Sequence, residues 1–255
     1  MIWQAPGNTI WRRAVRWAAP LCLLALLAGC AAGQEAVRPS AAESGKSLTA
    51  GRPGAIIAGA PKEWEAEFQR AWPGRSITAE LYYPTQSLLA RTAYDLAVFA
   101  RDIGPEVDLA RFERGAQGFH YHVNQVVGWA NSLVERRAAP STAEGQRLLE
   151  WLVASGVLRW DGGRYGRGGA VLHVLGATAG ARRAFVLNLN HERLHVHWDE
   201  NAAFREAELA GWRALDKAEK TEFLSRMRGY DQSRDLQMAE EWAVRRNEAV
   251  PPWLK

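Results

Sequence analysis

Asn190-His191-Glu192-Arg193-Leu194-His195-Val196-His197-Trp198-Asp199 is the stretch on which the reading of this chain turns. Inside it His191, Glu192 and His195 carry the spacing H-E-x-x-H. On an α-helix, residues i and i+4 leave from one face, so His191 and His195 can both reach one cation. Glu192, one position on, can then take a proton from a water on that cation. In the same helix His197 is turned about 200° from His195 and makes a poor third ligand.

Two other readings of these residues stay open. Leu194, Val196 and Trp198 alternate with Arg193, His195 and His197, a period of two that suits a strand. Such a strand would hold His195 and His197 on one face and could still bind a metal, as cupin-like barrels do. Asn188 and Asn190 also favour caps over helix interiors, which would put His191 in a first turn. In the third reading there is no metal, and the histidines beside Asp199 and Glu200 form a solvated polar edge.

H-E-x-x-H is the signature of the zincin metallopeptidases, and the chain resembles them over His191 to His195. The resemblance implies Zn2+ on His191 and His195, with Glu192 as general base. A catalytic zinc needs three protein ligands and one open position. Gluzincins draw the third from a glutamate on a later helix, and Glu240 and Glu241 are the candidates here. Glu240-x-Trp242-Ala243 resembles one gluzincin pattern and Glu241-Trp242 another. On a helical wheel Glu240 shares the arc of Leu236, Ala239, Ala243 and Val244, where a carboxylate is costly unless paired or metal-bound. Glu241 falls at the rim beside Gln237, so Glu240 is favoured and Glu241 kept. The alternative is a surface glutamate facing Arg245 or Arg246. Glu206 and Glu208 are nearer in sequence but fit the spacing less well.

Asp199, four residues past His195, either orients that imidazole or ends the helix. Tyr230 reads as a core tyrosine, or else as a donor to an oxyanion. His120 and His122 are two apart and cannot share a helix face, so they and His173 read as core or surface histidines. His173 is placed to line a cleft. By the same zincin resemblance, an edge strand near the site, with Ala170 to Leu175 the candidate, would pair with an extended peptide.

The N-terminus bounds location. Met1 to Arg16 carries Arg12, Arg13 and Arg16 and no acid, and a short apolar run to Gly29 follows. That run is too short to span a bilayer, which takes about 20 apolar residues. The order basic, apolar, small is that of a secretory signal. Leu27-Ala28-Gly29-Cys30 resembles the bacterial lipobox, which implies lipidation at Cys30; Ala31 after it favours the outer membrane. An uncleaved anchor, or a plain signal with a chance cysteine, is the competing reading. Cys22 and Cys30 are the two cysteines, so the mature chain keeps no free thiol. Cysteine proteases and Cys-ligated zinc are thereby excluded. The formal charge of +4, less the three signal arginines, leaves about +1, with no dense basic block to hold nucleic acid. The 12 tryptophans are expected mostly in the core or lining a groove.

Residues 1–29 thus read as a signal peptide, 30–59 as a flexible linker, and 60–255 as one globular domain. Within it, helices are expected over Lys62 to Trp72, Thr85 to Ile103, Gly118 to Arg137, the stretch to Ser155 after a cap at Ser141-Thr142-Ala143-Glu144, Ala202 to Leu215, Lys217 to Arg228 and Ser233 to Asn247. Strands are expected at Ile77 to Tyr83, in a hairpin from Val157 to Tyr165, at Ala170 to Leu175 and at Ala184 to Leu189. A helix followed by a hairpin also suits a winged-helix nucleic-acid module, which the export signal disfavours. The fold class is α+β, mostly helical with a small sheet and zincin-like. The expected function is a membrane-anchored zinc metallopeptidase of the bacterial envelope, facing the periplasm, cutting a peptide or protein substrate. The alternative is a non-catalytic envelope lipoprotein with a structural metal or a partner-binding role.

Overall fold

Thr78-Ala79-Glu80-Leu81-Tyr82-Tyr83 forms β1 (Thr78–Tyr83), and all six side chains are buried. In the computed structural model, residues 67, 70–104, 106–178, 185–227, 230 and 232–254 are described. The signal segment, Cys30, the linker and most of the helix expected over Lys62 to Trp72 lie outside the described residues. No helix among the described residues is long and apolar enough to cross a membrane.

β1 runs parallel to β5 (His173–Thr178), which runs antiparallel to β2 (Gly118–His122). The order is β1-β5-β2, a mixed sheet with β5 in the middle. A sheet buried on both faces needs side chains that suit two apolar layers. Period two sorts them here. Ala79, Leu81, Tyr83, Phe119, Tyr121 and Val174 join the larger core with α1 (Gln86–Ala100), α3 (Val123–Arg136) and α4 (Ala143–Ala154). Tyr82, Leu175 and Ala177 join a second core with Phe185, Leu189 and Val196 of α5 (Phe185–Glu200). α5 therefore packs under the face that also carries Glu80, Gly118, His120 and His173.

Short α2 (Leu109–Glu113) precedes β2. The hairpin is present as β3 (Leu158–Trp160) and β4 (Tyr165–Arg167), closed by the Asp161 amide donating to the Arg164 carbonyl at 2.9 Å. Asn131 of α3 fastens it, its side chain bonding both the amide and the carbonyl of Tyr165. α6 (Ala202–Ala214), α7 (Lys217–Arg226) and α8 (Asp235–Asn247) follow, with the Asp216–Glu219 capping box before α7 as expected. The class is α+β, mostly helical with a small mixed sheet. Trp72, Trp129, Trp151, Trp198 and Trp212 are buried, whereas Trp160 is exposed.

Four sequence expectations shift. Gly118 to Arg137 is not one helix: Gly118–His122 is strand, because it pairs with β5, and helix begins only at Val123. His122 makes that switch, its Nδ1 accepting the Asn124 amide as an N-cap. Phe185 to Leu189 is helix rather than strand, since Phe185, Leu189 and Val196 share one helical face against the sheet. The strand near Ala170 to Leu175 is His173–Thr178, and it is paired on both sides, so it has no edge to offer a peptide. The cap of α4 is Thr142 rather than Ser141. Its hydroxyl accepts the Gly145 amide, while Ser141 bonds Asp95.

Candidate metal centre

His191, Glu192 and His195 lie on α5, beyond its first described turn. The asparagines that made the segment look like a cap serve tertiary contacts instead. The Asn188 side chain donates to the Thr178 carbonyl at 2.9 Å, and the Asn190 side chain donates to the Glu248 carbonyl at 3.3 Å. Arg193 leaves the opposite face of the motif. Its Nε and Nη2 each meet an oxygen of Glu80 in β1 at 2.7 Å, and its guanidinium lies 5.2 Å from the Trp72 ring. This buried fork ties α5 to the sheet.

One ligand atom each from His191, His195 and Glu241 of α8 lies within 4.8 Å of the other two. Glu241 Oε2 is 3.7 Å from His191 Nε2, and Oε1 is 3.7 Å from His195 Nε2. The far nitrogen of each ring meets a second carboxylate. His191 Nδ1 is 2.8 Å from Glu248, and His195 Nδ1 is 2.7 Å from Glu240. With those carboxylates ionised, the Nδ1 atoms carry the protons and the Nε2 atoms face Glu241. His195 Nε2 is buried with no hydrogen-bond partner, as are both oxygens of Glu192. Such a convergence of donor atoms could hold a metal ion. Two imidazoles and one carboxylate suit a borderline divalent ion.

Glu240, favoured on the wheel, thus orients His195 rather than joining the cluster. Ala239, Ala243 and Val244 of its arc are buried but Leu236 is 60% exposed, and Glu240 stands toward that open side, with 23% of its side chain exposed against 2% for Glu241. Met238, Glu241, Arg245 and Glu248 instead form a row at i, i+3, i+7 and i+10 toward α5. Arg245 Nε lies 3.6 Å from Glu241, so the arginine partner expected for a glutamate here is present too, on the same carboxylate. Arg246 is turned away, toward Glu208 and the Trp242 ring. Glu206 and Glu208 are outside the cluster. His197 faces Asn201, Phe204 and Trp253. Tyr230 is buried in the larger core and lies in the electrostatic field of Glu241, Arg245 and Glu192.

Gly118 of β2 faces the Glu192 carboxylate, and a methyl group there would collide with it. The close approach of β2 to α5 depends on that missing side chain. Burial pushes Glu192 up to about 8, with Glu241 adding to the rise, and pushes Glu240 up to about 7. Burial takes the His195 ring down to about 3.

These shifts set a pH dependence for the metal-free protein. A carboxyl whose folded pKa is raised contributes stability at low pH that is lost as pH climbs through the folded value. A histidine with a lowered pKa acts oppositely, but only below its unfolded value of about 6.5. Between pH 6.5 and 8 the carboxyls therefore act alone. In EDTA the melting temperature should fall across that window, measured by circular dichroism; a flat or rising profile would contradict this account.

Sequence reasoning missed Glu248, Gly118 and the placement of His120 and His173. Glu248 had a signal: it is seven residues past Glu241, two turns along one face. Asp199 does not orient His195; its carboxylate lies 4.0 Å from His120 and His173. No protein-family model, curated protein or solved structure matches the chain significantly.

Proposed function

We propose that this chain is a zinc-dependent metallopeptidase with a gluzincin-like site, tethered by a lipid on Cys30 in the bacterial envelope and facing the periplasm. One observation supports it most: His191, His195 and Glu241 converge through Nε2 and carboxylate atoms while both Nδ1 atoms are held by further carboxylates. Zinc bound there would supply Lewis acidity toward a scissile carbonyl and a water of lowered pKa. Glu192 accepts a proton and returns it to the leaving amine, and its raised pKa suits a group that must both take and give one. Glu248 and Glu240 hold the two rings in the tautomer that ligation requires. Arg245 sits where it can balance charge on Glu241. Of the two edges of the described sheet, β2 carries Gly118 against Glu192 and is the one suited to an extended peptide.

The test is metal content. The purified chain is expected to hold zinc that Glu241→Gln or His195→Ala removes. Glu240→Gln, which alters only an outer contact, should weaken zinc by about 10–100-fold rather than abolish it. Equal, small losses for Glu240→Gln and Glu241→Gln would overturn the ligand set.

The second reading, a lipoprotein with a structural metal, is favoured by the burial of His191 and Glu192, both 0% exposed. Zinc retained with no hydrolysis of any peptide in a mixed library would decide for it.

A further inference from the structure

His120 of β2, His173 of β5 and Asp199 of α5 form a second cluster, outside the one that holds Glu192. The sheet register builds it. His120 stands opposite Leu175 and His122 opposite His173, so His120 and His173 are diagonal neighbours on the face that covers α5. Asp199 is one turn beyond His195 on that helix, so His191, His195 and Asp199 form a row at i, i+4 and i+8. His120 and His195 stack 5.8 Å apart, nearly parallel. We infer that His120 Nε2, His173 Nδ1 and the Asp199 carboxylate form a second divalent-metal site, adjacent to the first and suited to Zn2+.

Three observations carry the inference. The ligand atoms converge: His120 Nε2 to His173 Nδ1 is 2.8 Å, and Asp199 Oδ2 is 4.0 Å from each nitrogen. A tetrahedral zinc with bonds of about 2.0–2.1 Å sets its ligand atoms roughly 3.3 Å apart, so each separation changes by well under an ångström. The outer contact is also built. His173 Nε2 is 2.8 Å from Glu200, which fixes its proton on the far nitrogen and turns Nδ1 inward as an acceptor. Access is the third. His173 is fully buried, whereas the Asp199 side chain is 40% exposed, which gives an ion a way in.

Without metal, the His120–His173 contact is a hydrogen bond carrying one proton. Metal entry moves the His120 proton from Nε2 to Nδ1, the ring staying neutral, and the ion takes both lone pairs. Two imidazoles and one carboxylate match the preferences of Zn2+, Co2+ and Ni2+ rather than Ca2+ or Mg2+.

The experiment titrates Zn2+ into the full-length chain in detergent after EDTA stripping, reads stoichiometry by elemental analysis and calorimetry, and repeats the visible spectrum with Co2+. The native chain is expected to take two equivalents. Asp199→Asn, an exposed change that should leave folding intact, is expected to weaken one of them at least about tenfold. His173→Ala should remove it, and both variants should leave the other equivalent in place. His195→Ala should remove that other equivalent and spare this one. A native chain that takes a single equivalent, lost in His195→Ala but unchanged in Asp199→Asn, would overturn the second site while leaving the first reading intact. Two equivalents unaffected by Asp199→Asn and His173→Ala would overturn it equally.

Discussion

Glu192→Gln is expected to lower peptide hydrolysis by roughly 10²–10⁴-fold while leaving zinc content unchanged. Glutamine keeps the shape of the side chain but cannot carry the proton between water and leaving amine. Zinc should stay, because Glu192 lies outside the His191–His195–Glu241 cluster. The same change should raise thermal stability near pH 8. The native carboxyl is fully buried, its oxygens have no hydrogen-bond partner, and burial lifts its pKa to about 8, so ionising it costs the fold energy that a neutral amide does not. Less activity with more stability is the pattern of a group held in a strained electrostatic setting for its chemistry. Undiminished hydrolysis in Glu192→Gln would remove Glu192 from any catalytic role, and loss of zinc would mean that it ligates.

Glu80→Ala is expected to be the most destabilising single change in the sheet, at about 3–5 kcal/mol. It strips the carboxylate from Arg193, whose side chain is fully buried, and leaves a guanidinium with one carbonyl contact to Glu67 and the Trp72 face. For a domain of this size that loss corresponds to a fall in melting temperature of roughly 6–20 °C. Because Arg193 lies between Glu192 and His195, zinc binding should weaken with it. The double variant Glu80→Met with Arg193→Met should regain much of the loss, since a buried pair replaced by apolar side chains of similar volume is often nearly neutral. A melting temperature for Glu80→Ala within about two degrees of native would show that the fork contributes little.

The arginine at position 193 illustrates how far the sequence could be read. It occupies a variable place in H-E-x-x-H, and its alternation with Leu194 and Val196 was the case for a strand. Only the position of Glu80, 113 residues earlier, explains why a charge stands on the buried face of a helix. Asn188 and Asn190 misled in the same way, since their amides are satisfied by Thr178 and Glu248 rather than by a helix end. Gly118–His122 was absorbed into the next helix because five residues offer too little period to outweigh the strong 3.6 pattern from Val123 onward.

By itself the sequence determined the elements whose signals are local. These are the helices with long apolar periods, the Asp161-Gly162-Gly163 hairpin, the Asp216 cap, and the pair of imidazoles one turn apart, whose spacing is written within five residues. Tertiary structure alone decided which later glutamate faces them and which carboxylates hold their far nitrogens. It also decided that His120 and His173 meet over Asp199. Each of these depends on how a helix is rotated about its axis or on which strands pair. Such rotations and pairings are set by the burial of whole faces against one another, and no window of neighbouring residues carries that information.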